Sequence, residues 1–176
     1  KKTDGMNELG KRMFEQYGVK AQYHPHADSH VDTEENVYRF LDGTSSEFVN
    51  LCLDTGHISY CGGDNIAIIE RAPERIGYLH LKQVDEAVRA KVAAEDLPFG
   101  EACKLGAMTE PPLGIPDMPP LLSTIERLAD AGKLTADIFA IVEQDMYPCA
   151  PDYPLPIAQR TRKYLGSCGI PSIQFS

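Results

Sequence analysis

Three short apolar runs constrain this chain more than anything else in it: FVNLCLD at 48–54, GYLHLKQV at 77–84 and IFAIVEQD at 138–145. Each is near-continuous rather than alternating, which is how a strand reads when both of its faces are buried, and such strands belong to parallel sheets covered by helices. The stretches between them carry apolar residues at helical spacing. MNELGKRMFEQY (6–17) closes at Gly18, and TEENVYRFLD (33–42) can be capped by Asp32 or Thr33 and stops at Gly43. A helix around NIAIIERAPERI is interrupted by Pro73, and LLSTIERLADAG and IAQRTRKYLGSCG complete the set. With VKAQY (19–23) as a further strand, four strands alternate with helices, so the chain is α/β, with a parallel sheet and right-handed crossovers. The segment from about 85 to 120, which contains EPPLGIPDMPP, exceeds an ordinary connection and reads as a functional loop.

The polar residues at the strand ends set this sequence apart. The first strand runs into His24-Pro25-His26, where the two imidazoles can share one face and the proline, which has no N–H, ends the ladder. The second ends in Asp54-Thr55-Gly56-His57, the third carries His80 and Lys82, and the fourth carries Glu143-Gln144-Asp145. Taken singly, each has an ordinary structural explanation. Asp54 can cap a helix through GHISY, His80 can be a core histidine and Glu143 a solvated strand end. Active sites of parallel α/β sheets are built at the carboxyl ends of strands, however, and four such ends supplying His, Asp, His and Glu converge on one place. That donor mixture suits a divalent first-row cation, Mn²⁺, Co²⁺ or Fe²⁺, with Zn²⁺ as an alternative and Mg²⁺ a poorer match.

Composition removes several other classes. A net charge of −9 over 176 residues, with no clustered Lys and Arg, argues against nucleic acid as a partner. No apolar run approaches the roughly 20 residues of a bilayer span, and no signal-peptide pattern opens the chain, so a cytoplasmic protein with no membrane partner is expected. The five cysteines (52, 61, 103, 149 and 168) are odd in number and lack a CxxC, which fits reduced packing residues rather than a disulfide framework.

LCLDTGH, the HLK of YLHLKQVD, VEQD and HPH together resemble the xylose-isomerase-like (β/α)8 TIM barrels, the sugar phosphate isomerases/epimerases, and within them the inosose (2-keto-myo-inositol) dehydratases. The resemblance runs over nearly the whole chain but onto the second half of such a barrel, so residues 1–176 are expected to supply roughly strands 5–8 of an eight-stranded domain. It implies a metal held by His24, Asp54, His80 and Glu143, with acid/base roles for His26 and Lys82. Many relatives have a glutamate at the first ligand position where this chain reads HPHADSH, which leaves the fourth ligand among His24, His26 and His30. The dehydratases usually read HxKD where Gln83 follows Lys82 here.

The expected function is that of a metal-dependent lyase acting on a keto-cyclitol or keto-sugar. The cation would polarise the carbonyl and stabilise the enediolate while His26 or Lys82 removes the α-proton. An isomerase or epimerase, or a 3-keto-glycoside-cleaving lyase, is the alternative on the same scaffold, since the first half-reaction is common to all. His57 is expected to bind a substrate hydroxyl, or else to be a turn histidine, and the loop at about 99–118 to close over the site. Four strands cannot close a barrel, so either a preceding half-barrel or an oligomer partner is expected to complete it, and the inward side chains of all four strands should be partly exposed.

Overall fold

In the computed structural model, which describes residues 2–134 and 138–168, the strand-like runs form one parallel four-stranded sheet. Helix α1 (Lys2–Tyr17) leads into β1 (Ala21–Tyr23), α2 (Glu34–Asp42) into β2 (Val49–Asp54), and α3 (Thr55–Tyr60) and α4 (Asn65–Arg71) into β3 (Ile76–Leu81). Beyond β3 come β4 (Gln83–Val84), α5 (Glu86–Ala94), α6 (Phe99–Lys104), β5 (Met108–Thr109), α7 (Met118–Asp130), β6 (Phe139–Val142) and α8 (Pro154–Ser167). The order in the main sheet is β1-β2-β3-β6, all pairs parallel. Thr33 rather than Asp32 caps α2, its hydroxyl accepting the Asn36 amide. None of the described helices is long and apolar enough to cross a membrane.

Every residue of β2 is buried, as a doubly covered strand requires, and Leu51 and Leu53 lie in a core with Val37, Phe40, Ile68, Ile76, Leu79, Leu121 and Leu128. Exposure is therefore not shared by all four strands. It is concentrated at β6, an edge strand of the described sheet, where Phe139 is 67% exposed. Of the cysteines only Cys52 is fully buried, and all five are free.

Two differences from the sequence reading have a physical cause. The run GYLHLKQV is broken at Lys82, because the Thr55 hydroxyl accepts the Lys82 N–H (2.9 Å) and donates to the Lys82 carbonyl (2.7 Å). The chain then turns away, and Gln83–Val84 pairs antiparallel with Met108–Thr109. Residues 85–117 are accordingly not an irregular loop but a folded insertion containing α5, α6 and β5. The Gln83 side chain fastens it: its amide nitrogen donates to Pro116 O (2.7 Å) and its amide oxygen accepts from Gly114 N (3.1 Å).

Arg75 is the other feature that periodicity does not reveal. Only 6% exposed, its guanidinium donates to Val49 O (2.9 Å), Leu41 O (3.0 Å) and the Thr44 hydroxyl (2.8 Å), tying the end of α2 to the start of β2. Burial draws its pKa down, but each of its three nitrogens finds an acceptor. Arg75→Met should lower stability by about 2–4 kcal/mol, because buried carbonyls lose their donors. Urea unfolding measures this, and an unchanged midpoint would show that the tie contributes nothing.

Candidate metal centre

Strand register brings the polar ends together. Asp54 is the partner of His80 across β2 and β3, and His80 is the partner of Ile141 across β3 and β6. Glu143 stands two residues beyond Ile141 and so returns to the same face, and His24 follows Tyr23, the last residue of β1. His24, Asp54, His80 and Glu143 each offer a ligand atom within 4.8 Å of the others. Of the three histidines in HPHADSH it is His24 that enters this group. His26 turns its Nδ1 to Ala27 O (2.7 Å), and His30 is exposed.

Asp54 serves two ends at once. Its Oδ1 caps α3 by accepting the Gly56 and His57 amides (2.9 Å each), while its Oδ2 faces His24 Nε2 (3.3 Å), His80 Nδ1 (3.4 Å) and Lys82 Nζ (3.1 Å). Burial would raise its pKa, but His24, His80 and Lys82 outweigh it and hold the carboxyl well below the ordinary range. His80 Nδ1 and Glu143 Oε2 lie 2.6 Å apart, yet each is a buried atom without a hydrogen-bond partner. Two buried atoms of the types a divalent first-row cation prefers, facing the same place beside a buried carboxylate, make a donor set that such an ion can use. The residues present fit the cation.

Lys82 crosses the floor of this group. Its side chain is fully buried, and its Nζ donates to Asp145 Oδ2 (2.8 Å) and lies 3.1 Å from Asp54 Oδ2 and from Glu143 Oε2. Burial would lower its pKa, but Asp54, Asp145 and Glu143 together raise it, so Lys82 is an ammonium. The absence of a side chain at Gly56 makes room for it, since a Cβ there would come within 2.6 Å of Lys82 Cγ and 2.8 Å of its Cβ. Gly56→Ala should therefore cost about 1–3 kcal/mol and turn the lysine out of its slot. A thermal scan and a crystal structure of the variant test this, and an undisturbed Lys82 in a fully stable protein would contradict it.

His57 lies under the site rather than at its mouth. It is 1% exposed, its Nδ1 accepts the Ala27 amide (3.3 Å), and its Nε2 is 3.4 Å from Lys82 Nζ. Burial above all brings its pKa down to about 3, so the ring is neutral with its proton on Nε2. The His26 ring stacks on it with centroids 3.7 Å apart. Phe99, carried by the insertion, packs on both (5.2 and 5.0 Å) and is anchored by its amide to Asp28 Oδ2 (2.7 Å). Phe99 and Asp145 are the members of this surround that the sequence left without a role. The second sits in VEQD and lies two residues from a ligand candidate, a spacing that could have marked it.

The model of the xylose isomerase-like TIM barrel family matches residues 3–145. Inosose dehydratase of Geobacillus thermodenitrificans is 30% identical over 168 residues, which cover 95% of this chain and 54% of that protein. The inosose dehydratase of Clostridium beijerinckii is 32% identical over 163 residues, 93% of this chain and 52% of its own. The chain thus spans about half the length of the curated relatives it matches. Among solved structures, the IOLI protein with a bound zinc atom superposes with a TM-score of 0.65 at 22% identity, over 94% of this chain and 54% of that one. The match of this family model to residues 3–145, over a chain whose main sheet is parallel, means that the chain belongs to the xylose isomerase-like TIM barrel family.

Proposed function

We propose that this chain carries the metal-holding and proton-transferring side of a divalent-metal-dependent lyase that dehydrates a keto-cyclitol or keto-sugar. The observation that supports it most is the meeting of His24, Asp54, His80 and Glu143 within 4.8 Å, with the Lys82 ammonium 3.1 Å from two of them. The names of the two dehydratase relatives point to the same substrate class. The four residues would hold Mn²⁺ or Co²⁺, with Zn²⁺ as the alternative suggested by the zinc-bearing structural neighbour. Bound there, the cation would polarise the substrate ketone and stabilise negative charge as it develops on the oxygen.

The chain's own residues divide the proton transfers. His26 donates Nδ1–H to Ala27 O, which leaves the lone pair on Nε2 and makes that atom the base for the α-proton. Lys82, held charged by its carboxylates, is the acid: its ammonium proton goes to the departing β-hydroxyl, which leaves as water. His57 acts beneath them, stacked against the His26 ring with its Nε2 3.4 Å from Lys82 Nζ, and does not meet substrate itself. The folded insertion shields this side of the site through Phe99. Mixing the protein with 2-keto-myo-inositol and Mn²⁺ and following the enone absorbance tests the reading. Growth of the signal that stops when the metal is withheld supports it. An isomeric ketose without enone would reassign the reaction to isomerisation, and no reaction with Mn²⁺, Co²⁺ or Zn²⁺ would overturn it.

A further inference from the structure

We infer that Asp145 is the positioning residue that holds Lys82 once the four ligand residues are committed to a cation, an inference that rests on the function proposed above. The Lys82 ammonium has three carboxylate neighbours, Asp54 and Glu143 at 3.1 Å and Asp145 at 2.8 Å. Two of these belong to the ligand group. Asp54 has no oxygen to spare, since Oδ1 is taken by the Gly56 and His57 amides and Oδ2 is the atom that faces His24 and His80. The Glu143 oxygen that touches Lys82 is likewise the one that lies 2.6 Å from His80 Nδ1. An oxygen directed at a cation is a poor acceptor for a neighbouring ammonium, because the two positive charges compete for the same lone pairs.

His57 cannot take their place. Its Nδ1 lone pair is used by the Ala27 amide, so its Nε2, 3.4 Å from Lys82, carries a proton and offers no acceptor. Among the described groups around Nζ, Asp145 Oδ2 is the acceptor that remains. It is well placed for that task. The neighbouring Gln144 donates to Met108 O (3.0 Å) and so pins the segment to the insertion. On its outer side Asp145 lines a cavity of about 300 Å³ bounded by Met108, Thr109, Glu110 and Tyr153.

Competitive acetylation of the Mn²⁺-loaded protein with acetic anhydride, read at each lysine by peptide mass spectrometry, tests this without any turnover. Lys82 of the wild type should label slowly, and Asp145→Asn should raise its labelling about 10–100-fold relative to the exposed Lys11 and Lys104 in the same sample, the worth of one charge-assisted hydrogen bond. Metal content should stay the same. Asp145→Glu, which keeps the charge, should label like the wild type within about threefold. With 2-keto-myo-inositol, Asp145→Asn should lower kcat by a similar factor and leave KM nearly unchanged, because a displaced acid affects the chemical step and not ground-state binding. Unchanged Lys82 labelling in Asp145→Asn, or an equal rise in Asp145→Glu, would overturn the inference. A wild-type protein that labels as expected but does not turn over the ketone would defeat the functional proposal and leave the role of Asp145 standing.

Discussion

Replacing Lys82 with methionine should leave the bound metal in place and cut turnover by roughly 10²–10⁴-fold, the usual worth of a positioned acid or base. Methionine matches the length of the buried stem and fills the slot beside Gly56, so packing is kept while the ammonium is lost. The direction of the effect on metal follows from charge. Lys82 contributes a positive charge 3.1 Å from two of the candidate ligand oxygens, and its removal reduces repulsion toward a divalent ion. Metal affinity should therefore hold or rise while activity collapses. Elemental analysis and steady-state kinetics on the same preparation separate the two effects. A Lys82→Met protein with full kcat would move protonation of the departing hydroxyl to His26 or to water, and one that had lost its metal would mean that Lys82 supports the site rather than serving the chemistry.

The parallel sheet was legible in the sequence because burial on both faces leaves an unmistakable mark: LCLD cannot be solvated on either side, and the structure buries all of β2. The strand-end residues were legible for a related reason. Parallel strands share one carboxyl end, so polar residues that close several apolar runs are brought to the same rim whatever the details of packing. Asp54 shows why the competing explanations could not be separated beforehand, since one oxygen caps a helix as any N-cap does and the other faces the cluster. What stayed hidden depends on contacts between segments distant in the chain. Lys82 interrupts an apolar run because Thr55, 27 residues away, captures both of its backbone groups. The insertion reads as Pro-rich loop because its helices are short and are held by Gln83 and Phe99 rather than by amphipathic periodicity. Arg75 looks like a surface residue of an exposed turn, and only the register of β2 against α2 supplies the three acceptors that bury it.

Asp54→Asn should abolish metal binding while leaving the fold of α3 intact. The substitution is selective because asparagine keeps an oxygen that can still accept the Gly56 and His57 amides, so the helix retains its cap. What disappears is the negative charge of a fully buried carboxylate facing His24, His80 and Lys82. A neutral amide at that point leaves Lys82 and an incoming cation opposed by one carboxylate fewer, and the loss should exceed the about 10–100-fold that changing a mere outer-sphere partner of a metal ligand costs. Glu143→Gln should act in the same direction with less effect on stability, since the Glu143 side chain is 40% exposed. Titration with Mn²⁺ or Co²⁺ followed by calorimetry, alongside thermal unfolding without metal, distinguishes the two contributions. If Asp54→Asn binds metal as tightly as the wild type, the meeting of the four strand ends is a charge network built for stability, and the proposed lyase chemistry loses its electrophile.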